Sequence, residues 1–108
     1  MAIHKNLLPF DGRSRTFLSV KIGDLDISGR AVLAPMAGVT DSVFRGMCRE
    51  QGAALVFSEL VSADGLVRDS RKTFDLMAFT PEERPVGIQL FGSDPGIMAE
   101  AARLAERR

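Results

Sequence analysis

Leu33-Ala34-Pro35-Met36-Ala37-Gly38-Val39-Thr40-Asp41 is the stretch around which the chain is organised. An apolar run over residues 31–34 meets a proline, a loop of small residues follows, and Thr40 or Asp41 opens a helix. Pro35 has no N–H to give to a central ladder, so the strand stops there. Ala37 and Gly38 carry almost no side chain, which lets a flat ligand approach the backbone closely. In α/β proteins ligands sit at such strand–loop–helix junctions, because backbone N–H groups and the positive end of a helix converge there. An ordinary βα turn with a helix cap has the same local pattern, so the stretch by itself names no ligand.

Upstream, Ser19-Val20-Lys21-Ile22 and Leu25-Asp26-Ile27-Ser28 flank Gly23-Asp24, two short alternating runs around a two-residue turn, which predicts a β-hairpin. Residues 1–18 have no periodicity and read as an N-terminal extension ahead of a unit spanning 19–108. Downstream, a helix is predicted over about 41–51, with Val43, Phe44, Met47 and Cys48 as its apolar stripe and Gly52 as its stop. Cys48 in that stripe reads as a small buried hydrophobe. Residues 54–58 form a continuous apolar run, as buried parallel strands do, with Glu59 at its end. Short helices are predicted over 61–67 and 71–79, and a single turn over Thr80-Pro81-Glu82-Glu83 before Pro85 ends it.

Val86-Gly87-Ile88-Gln89-Leu90-Phe91 is the third predicted strand. Period two puts Val86, Ile88 and Leu90 on one face and Gly87, Gln89 and Phe91 on the other. The aliphatic face takes helices, so Gln89 is an amide aimed the other way, near the C-terminal end of the strand. Enclosed there, it needs a partner, and a ligand is a natural one. Asp94 and Pro95 open a last helix whose inner stripe is Ile97, Met98, Ala101, Leu104 and Ala105.

Composition narrows the class. The chain has 108 residues, 45% hydrophobic and 26% charged, ordinary for a globular protein. Its 14 basic and 14 acidic residues cancel, which removes any bulk electrostatic case for nucleic acid. The cluster Arg68, Arg71 and Lys72 reads as a solvated face, with RNA contact the minor alternative. A single cysteine allows no internal disulfide. His4 is the only histidine and has no partner at metal-ligand spacing, so no metal site is expected. The N-terminus leads into no long apolar run, so neither a secretory signal nor a membrane span is expected and the cytoplasm is the expected location.

The order hairpin, then about three strand–helix units, is a segment of an α/β fold. It closes either as a small doubly wound sheet or as the N-terminal portion of a (β/α)8 TIM barrel, which takes about 250 residues. The stop at Arg108 inside a helix favours a truncated barrel.

Three stretches in order, residues 32–41, 58–67 and 84–95, resemble the tRNA-dihydrouridine synthase family. The resemblance implies an FMN-binding TIM barrel, followed by a helical RNA-binding domain. It implies an enzyme that uses FMN, with NADPH as reductant, to convert uridine in tRNA to 5,6-dihydrouridine. By the same resemblance Pro35, Met36 and Ala37 line the flavin ring, and Gln89 hydrogen-bonds its polar edge. The family's cysteine acid lies in an Asn-x-Gly-Cys-Pro motif after the fourth strand. That motif does not occur in this sequence, and Cys48 does not match it. No catalytic residue is therefore assigned, and the chain alone is expected to be inactive. The alternatives are another FMN-dependent TIM-barrel oxidoreductase, of the dihydroorotate or dihydropyrimidine dehydrogenase kind, or a non-catalytic flavin- or partner-binding module.

Overall fold

Val32 makes one parallel bridge to Leu55. Leu33 N–H donates to the Leu55 carbonyl at 2.9 Å, and Ala54 N–H to the Ala31 carbonyl at 2.7 Å. The computed structural model describes residues 19–108, and the predicted extension with His4 lies outside the described residues. Segment 31–34 thus runs alongside its neighbour for a single bridge, shorter than a strand, and the missing N–H of Pro35 prevents the ladder from continuing.

The architecture is mixed α/β. An antiparallel pair comes first, β1 (Ser19–Ile22) with β2 (Leu25–Ser28), in the register Ile22↔Leu25 around the Gly23-Asp24 turn. Then follow α1 (Ser42–Glu50), β3 (Val56–Ser62), α2 (Ala63–Val67), α3 (Arg71–Leu76), a 3-10 turn (Pro81–Glu83), β4 (Val86–Phe91) and α4 (Pro95–Glu106). β3 and β4 pair in parallel. Since Val32 bridges Leu55, just ahead of β3, the spatial order is segment 31–34, then β3, then β4, all running the same way.

β3 departs from the sequence expectation. It extends to Ser62, so the helix predicted to start at residue 61 begins at Ala63 instead. Two residues, Ser58 and Glu59, fall between Phe57↔Gly87 and Leu60↔Gln89, a parallel β-bulge. The extra residue resets the alternation. Phe57 and Leu60 share the face of Gly87 and Gln89, while Val61 falls with Leu90 on the other. Without the bulge Val61 would point away from the helices it packs on. A Cβ built on Gly87 would lie 2.3 Å from Phe57 Cε1, so the Phe57 ring occupies the space above that glycine.

The largest apolar cluster lies between the sheet and α2, α3 and α4. Val61, Ala63, Leu66, Met77 and Ala101 are buried in it, and Ile88, Leu90, Ile97, Met98, Leu104 and Ala105 pack around them. The expected inner stripe of α4 is therefore the observed one, and Asp94 caps that helix by accepting from Ile97 N–H at 2.8 Å. At the opposite end of β3, Ile27 of the hairpin packs on Ala54, Leu55 and Phe57.

Helix α1 corrects the sequence reading most. Phe44 and Cys48 pack toward Leu33, Ala53 and Val56, with Cys48 on the expected face but half-buried rather than buried. Val43 and Met47, assigned to the same stripe, are 73% and 58% exposed. The buried residue of the helix is Arg45. The helix predicted over 71–79 ends at Leu76.

Candidate functional site

The site forms where the three parallel segments end. The loop after Pro35 is tied internally by Thr40, which is fully buried. The Thr40 hydroxyl donates to the Met36 carbonyl and accepts from Met36 N–H, both at 3.0 Å. The same carbonyl accepts from Val39 N–H at 3.1 Å and Thr40 N–H at 3.0 Å. Asp41 then caps α1, its carboxylate accepting from Phe44 N–H at 2.9 Å. Gly38 has φ +72°, left-handed backbone that suits glycine, and its N–H donates to Oε1 of Glu59 across on β3.

These bonds decide what the loop can do. The amides of Met36, Gly38, Val39 and Thr40 all have protein partners, and Asp41 takes the Phe44 amide of the first turn of α1. Those amides are therefore not available to a phosphate, as the amides of an open helix N-terminus would be. It presents shape and apolar surface instead. Ala37 and Gly38 are exposed, Pro35 and Met36 half-exposed, and a Cβ on Gly38 would meet nothing within 4 Å. A flat group can lie against such a loop.

Gln89 sits one strand further on. Its N–H donates to Ser58 Oγ at 3.2 Å, and that hydroxyl in turn donates to the Glu59 carbonyl at 2.8 Å. Its side chain shares a face with Gly87 and Leu60, away from the helices, and is half-buried. The amide makes no side-chain hydrogen bond among the described residues. One intervening strand puts Gln89 and the 35–38 loop about 10 Å apart, a span suited to a fused tricyclic ring. The four residues singled out from sequence thus lie along one edge of the parallel segments, joined through Ser58 and Glu59. Sequence reasoning missed those two residues as working parts. The available signal was a Ser-Glu pair interrupting an apolar run, polar groups that need partners where they are buried.

Beneath α1 lies a second polar group. Arg45 Nε meets Glu83 Oε2 at 2.6 Å, Nη1 donates to the Thr40 carbonyl at 2.7 Å, and Nη2 to the Ala78 carbonyl at 2.6 Å. Glu83 also accepts from the Ser42 hydroxyl and from Thr80 N–H. Burial pushes the Glu83 carboxyl up, but bonds from Ser42, Thr80 and Arg45 outweigh it and hold its pKa below the ordinary carboxylate value. Every ionised oxygen has a donor, so this group reads as a strut beneath the loop.

No group of three or more His, Cys, Asp or Glu side chains suited to a metal occurs among the described residues. No helix among them is long and apolar enough to cross a membrane.

Parallel segments with a small-residue loop at their C-terminal edge make this a mixed α/β protein, and that edge is where such folds commonly place ligands. The sequence model of the dihydrouridine synthase (Dus) family matches residues 32–108, and the chain belongs to that family. It is 44% identical over 84 residues to tRNA-dihydrouridine synthase B of Pseudomonas aeruginosa, covering 78% of this chain and 25% of that one. It is 42% identical over 85 residues to a probable tRNA-dihydrouridine synthase of Treponema pallidum, covering 79% and 25%. For a probable tRNA-dihydrouridine synthase of Aquifex aeolicus the identity is 47% over 74 residues, covering 68% and 23%. The chain spans about a quarter of the length of these curated relatives.

Proposed function

We propose that residues 19–108 are the N-terminal segment of a (β/α)8 barrel that binds FMN and reduces uridine in tRNA to 5,6-dihydrouridine, with NADPH as reductant. Residues 1–18 are an extension ahead of it. The observation that carries this reading is the line of hydrogen bonds from Gly38 through Glu59 and Ser58 to Gln89, inside the region matched to the family. It ties together the residues that a flavin ring would touch.

The residues fit such a ring. Pro35, Met36 and Ala37 offer a flat, largely apolar wall. Gln89 offers an N–H and a carbonyl with no protein partner among the described residues, suited to the polar edge. Bound FMN supplies the two-electron redox chemistry. This chain's own part is to bind and orient: the wall excludes water from one side and the amide sets the ring's rotation.

The cofactor's phosphate and the acid that protonates the pyrimidine need groups that this segment does not offer. The amides of Met36, Gly38, Val39 and Thr40 are already engaged, and Cys48 lies in the groove between α1 and segment 31–33. tRNA is the substrate of the whole enzyme, and the chain alone makes no dihydrouridine.

The test replaces the matching quarter of the Pseudomonas aeruginosa enzyme with residues 32–108 and assays dihydrouridine on unmodified tRNA by mass spectrometry. Activity in the chimaera, and none in the 108-residue chain with added FMN and NADPH, is the expected result. Product from the chain alone, lost in Cys48→Ala, overturns it.

A further inference from the structure

We propose that the β3 bulge is the positioning device of the flavin site, with Glu59 setting the 35–38 loop through Gly38 and Ser58 setting β4 through Gln89. The inference rests on the FMN reading above.

Three observations carry it. The bulge falls at two residues of β3 whose side chains reach opposite neighbours: Glu59 accepts from Gly38 N–H of the loop, and Ser58 accepts from Gln89 N–H of β4 at 3.2 Å. Bulges beside binding sites typically re-aim a side chain, and here the extra residue turns Glu59 toward the loop. Second, Gly38 is not packed. Its φ of +72° with open space around its Cβ position means that the glycine serves to aim the N–H, and that N–H is aimed at the Glu59 carboxylate. Bonds from a backbone N–H to a carboxylate are stronger and more directional than neutral ones. Third, Ser58 is fully buried and its hydroxyl is used twice, accepting from Gln89 N–H and donating to the Glu59 carbonyl at 2.8 Å. It repairs the ladder where the bulge breaks it, so β4 keeps its register and Gln89 its facing. Glu59 touches no substrate or reacting atom in this scheme; it acts through Gly38.

The experiment uses the 108-residue chain labelled with 15N. Amide exchange at Gly38 is measured by NMR in the native chain, Glu59→Gln and Glu59→Ala, and FMN affinity is measured by flavin absorbance in the Pseudomonas aeruginosa chimaera carrying the same substitutions. Glutamine keeps an acceptor oxygen and alanine does not. Expected are about tenfold faster Gly38 exchange and about tenfold weaker FMN binding in Glu59→Ala, with Glu59→Gln near native in both. Ser58→Ala is expected to speed exchange at Gln89 and leave Gly38 protected. Equal Gly38 exchange in the native chain and Glu59→Ala, or an unprotected Gly38 in the native chain, overturns the proposal. If Gly38 protection depends on Glu59 but the chimaera retains no FMN, the flavin reading fails while the clamp stands.

Discussion

Arg45 and Glu83 form an ion pair at 2.6 Å with their side chains 2% and 1% exposed, joining α1 to the turn ahead of β4 across 38 positions of sequence. Removing two charges from water is costly, and the pair is sustained only because each has further partners. The guanidinium reaches the Thr40 and Ala78 carbonyls, and the carboxylate takes Ser42 and Thr80. The Thr40 carbonyl lies at the end of the candidate flavin loop, so the strut supports the site from behind.

Breaking one side of that pair leaves the other charge buried. Glu83→Leu is expected to destabilise the fold by about 3–5 kcal/mol. The double variant Arg45→Met/Glu83→Leu strands the Thr40 and Ala78 carbonyls, the Ser42 hydroxyl and the Thr80 N–H but leaves no unpaired charge buried, so it is expected to be less destabilised than Glu83→Leu. Urea unfolding followed by circular dichroism checks this. A double variant less stable than Glu83→Leu would show that the pair contributes through something other than charge.

The same carboxyl makes the fold sensitive to acid. Its pKa is lower folded than unfolded, so its stabilisation is fully present above the unfolded value of about 4.3. That stabilisation is lost as pH falls through the lower folded value. Glu83→Gln should flatten this part of the stability–pH curve below pH 4 while lowering stability at neutral pH. An unchanged slope in Glu83→Gln would assign the acid sensitivity to other carboxylates.

Gly65 offers a test where two effects oppose each other. In the α2 helix, Gly→Ala ordinarily gains about 0.5–1 kcal/mol. Here an added Cβ would lie 2.4 Å from Thr73 Oγ1 and 3.2 Å from Thr73 Cβ on the adjoining helix. Overpacking of this kind costs about 1–3 kcal/mol, so Gly65→Ala is expected to be net destabilising. Adding Thr73→Ala removes the hydroxyl and methyl and should recover part of the loss. A stabilised Gly65→Ala in thermal unfolding would mean that α2 and α3 separate readily.

Gln89→Leu keeps the bulk of the side chain and removes its amide. In the chimaera with the Pseudomonas aeruginosa enzyme, FMN affinity should fall about tenfold to a hundredfold, the consequence of stranding one hydrogen-bond partner at roughly 1–3 kcal/mol. Flavin content measured by absorbance after dialysis gives the answer. Full retention would reduce Gln89 to a packing residue.

Local chemistry determined much of this protein from sequence alone. Pro35 ends its segment because it lacks an N–H. Asp41 and Asp94 cap their helices with short carboxylates. Alternation sends Ile88 and Leu90 to the helices and Gln89 to the other face. The spacing of three short stretches led to the family, and residues 32–108 match it. Each depends on neighbours within a few positions, so it is legible in a linear string. Only the tertiary structure decided the rest. Arg45, in the middle of α1, is buried because Glu83 arrives from 38 positions away, whereas Val43 and Met47 read as core although no described element covers them. The β3 bulge is invisible in the strand's own residues, because a bulge is a relation between two strands and exists only once β4 has paired. Glu59 likewise has no stated role along the chain. It acquires one when the Gly38 amide is brought to it from 21 positions upstream.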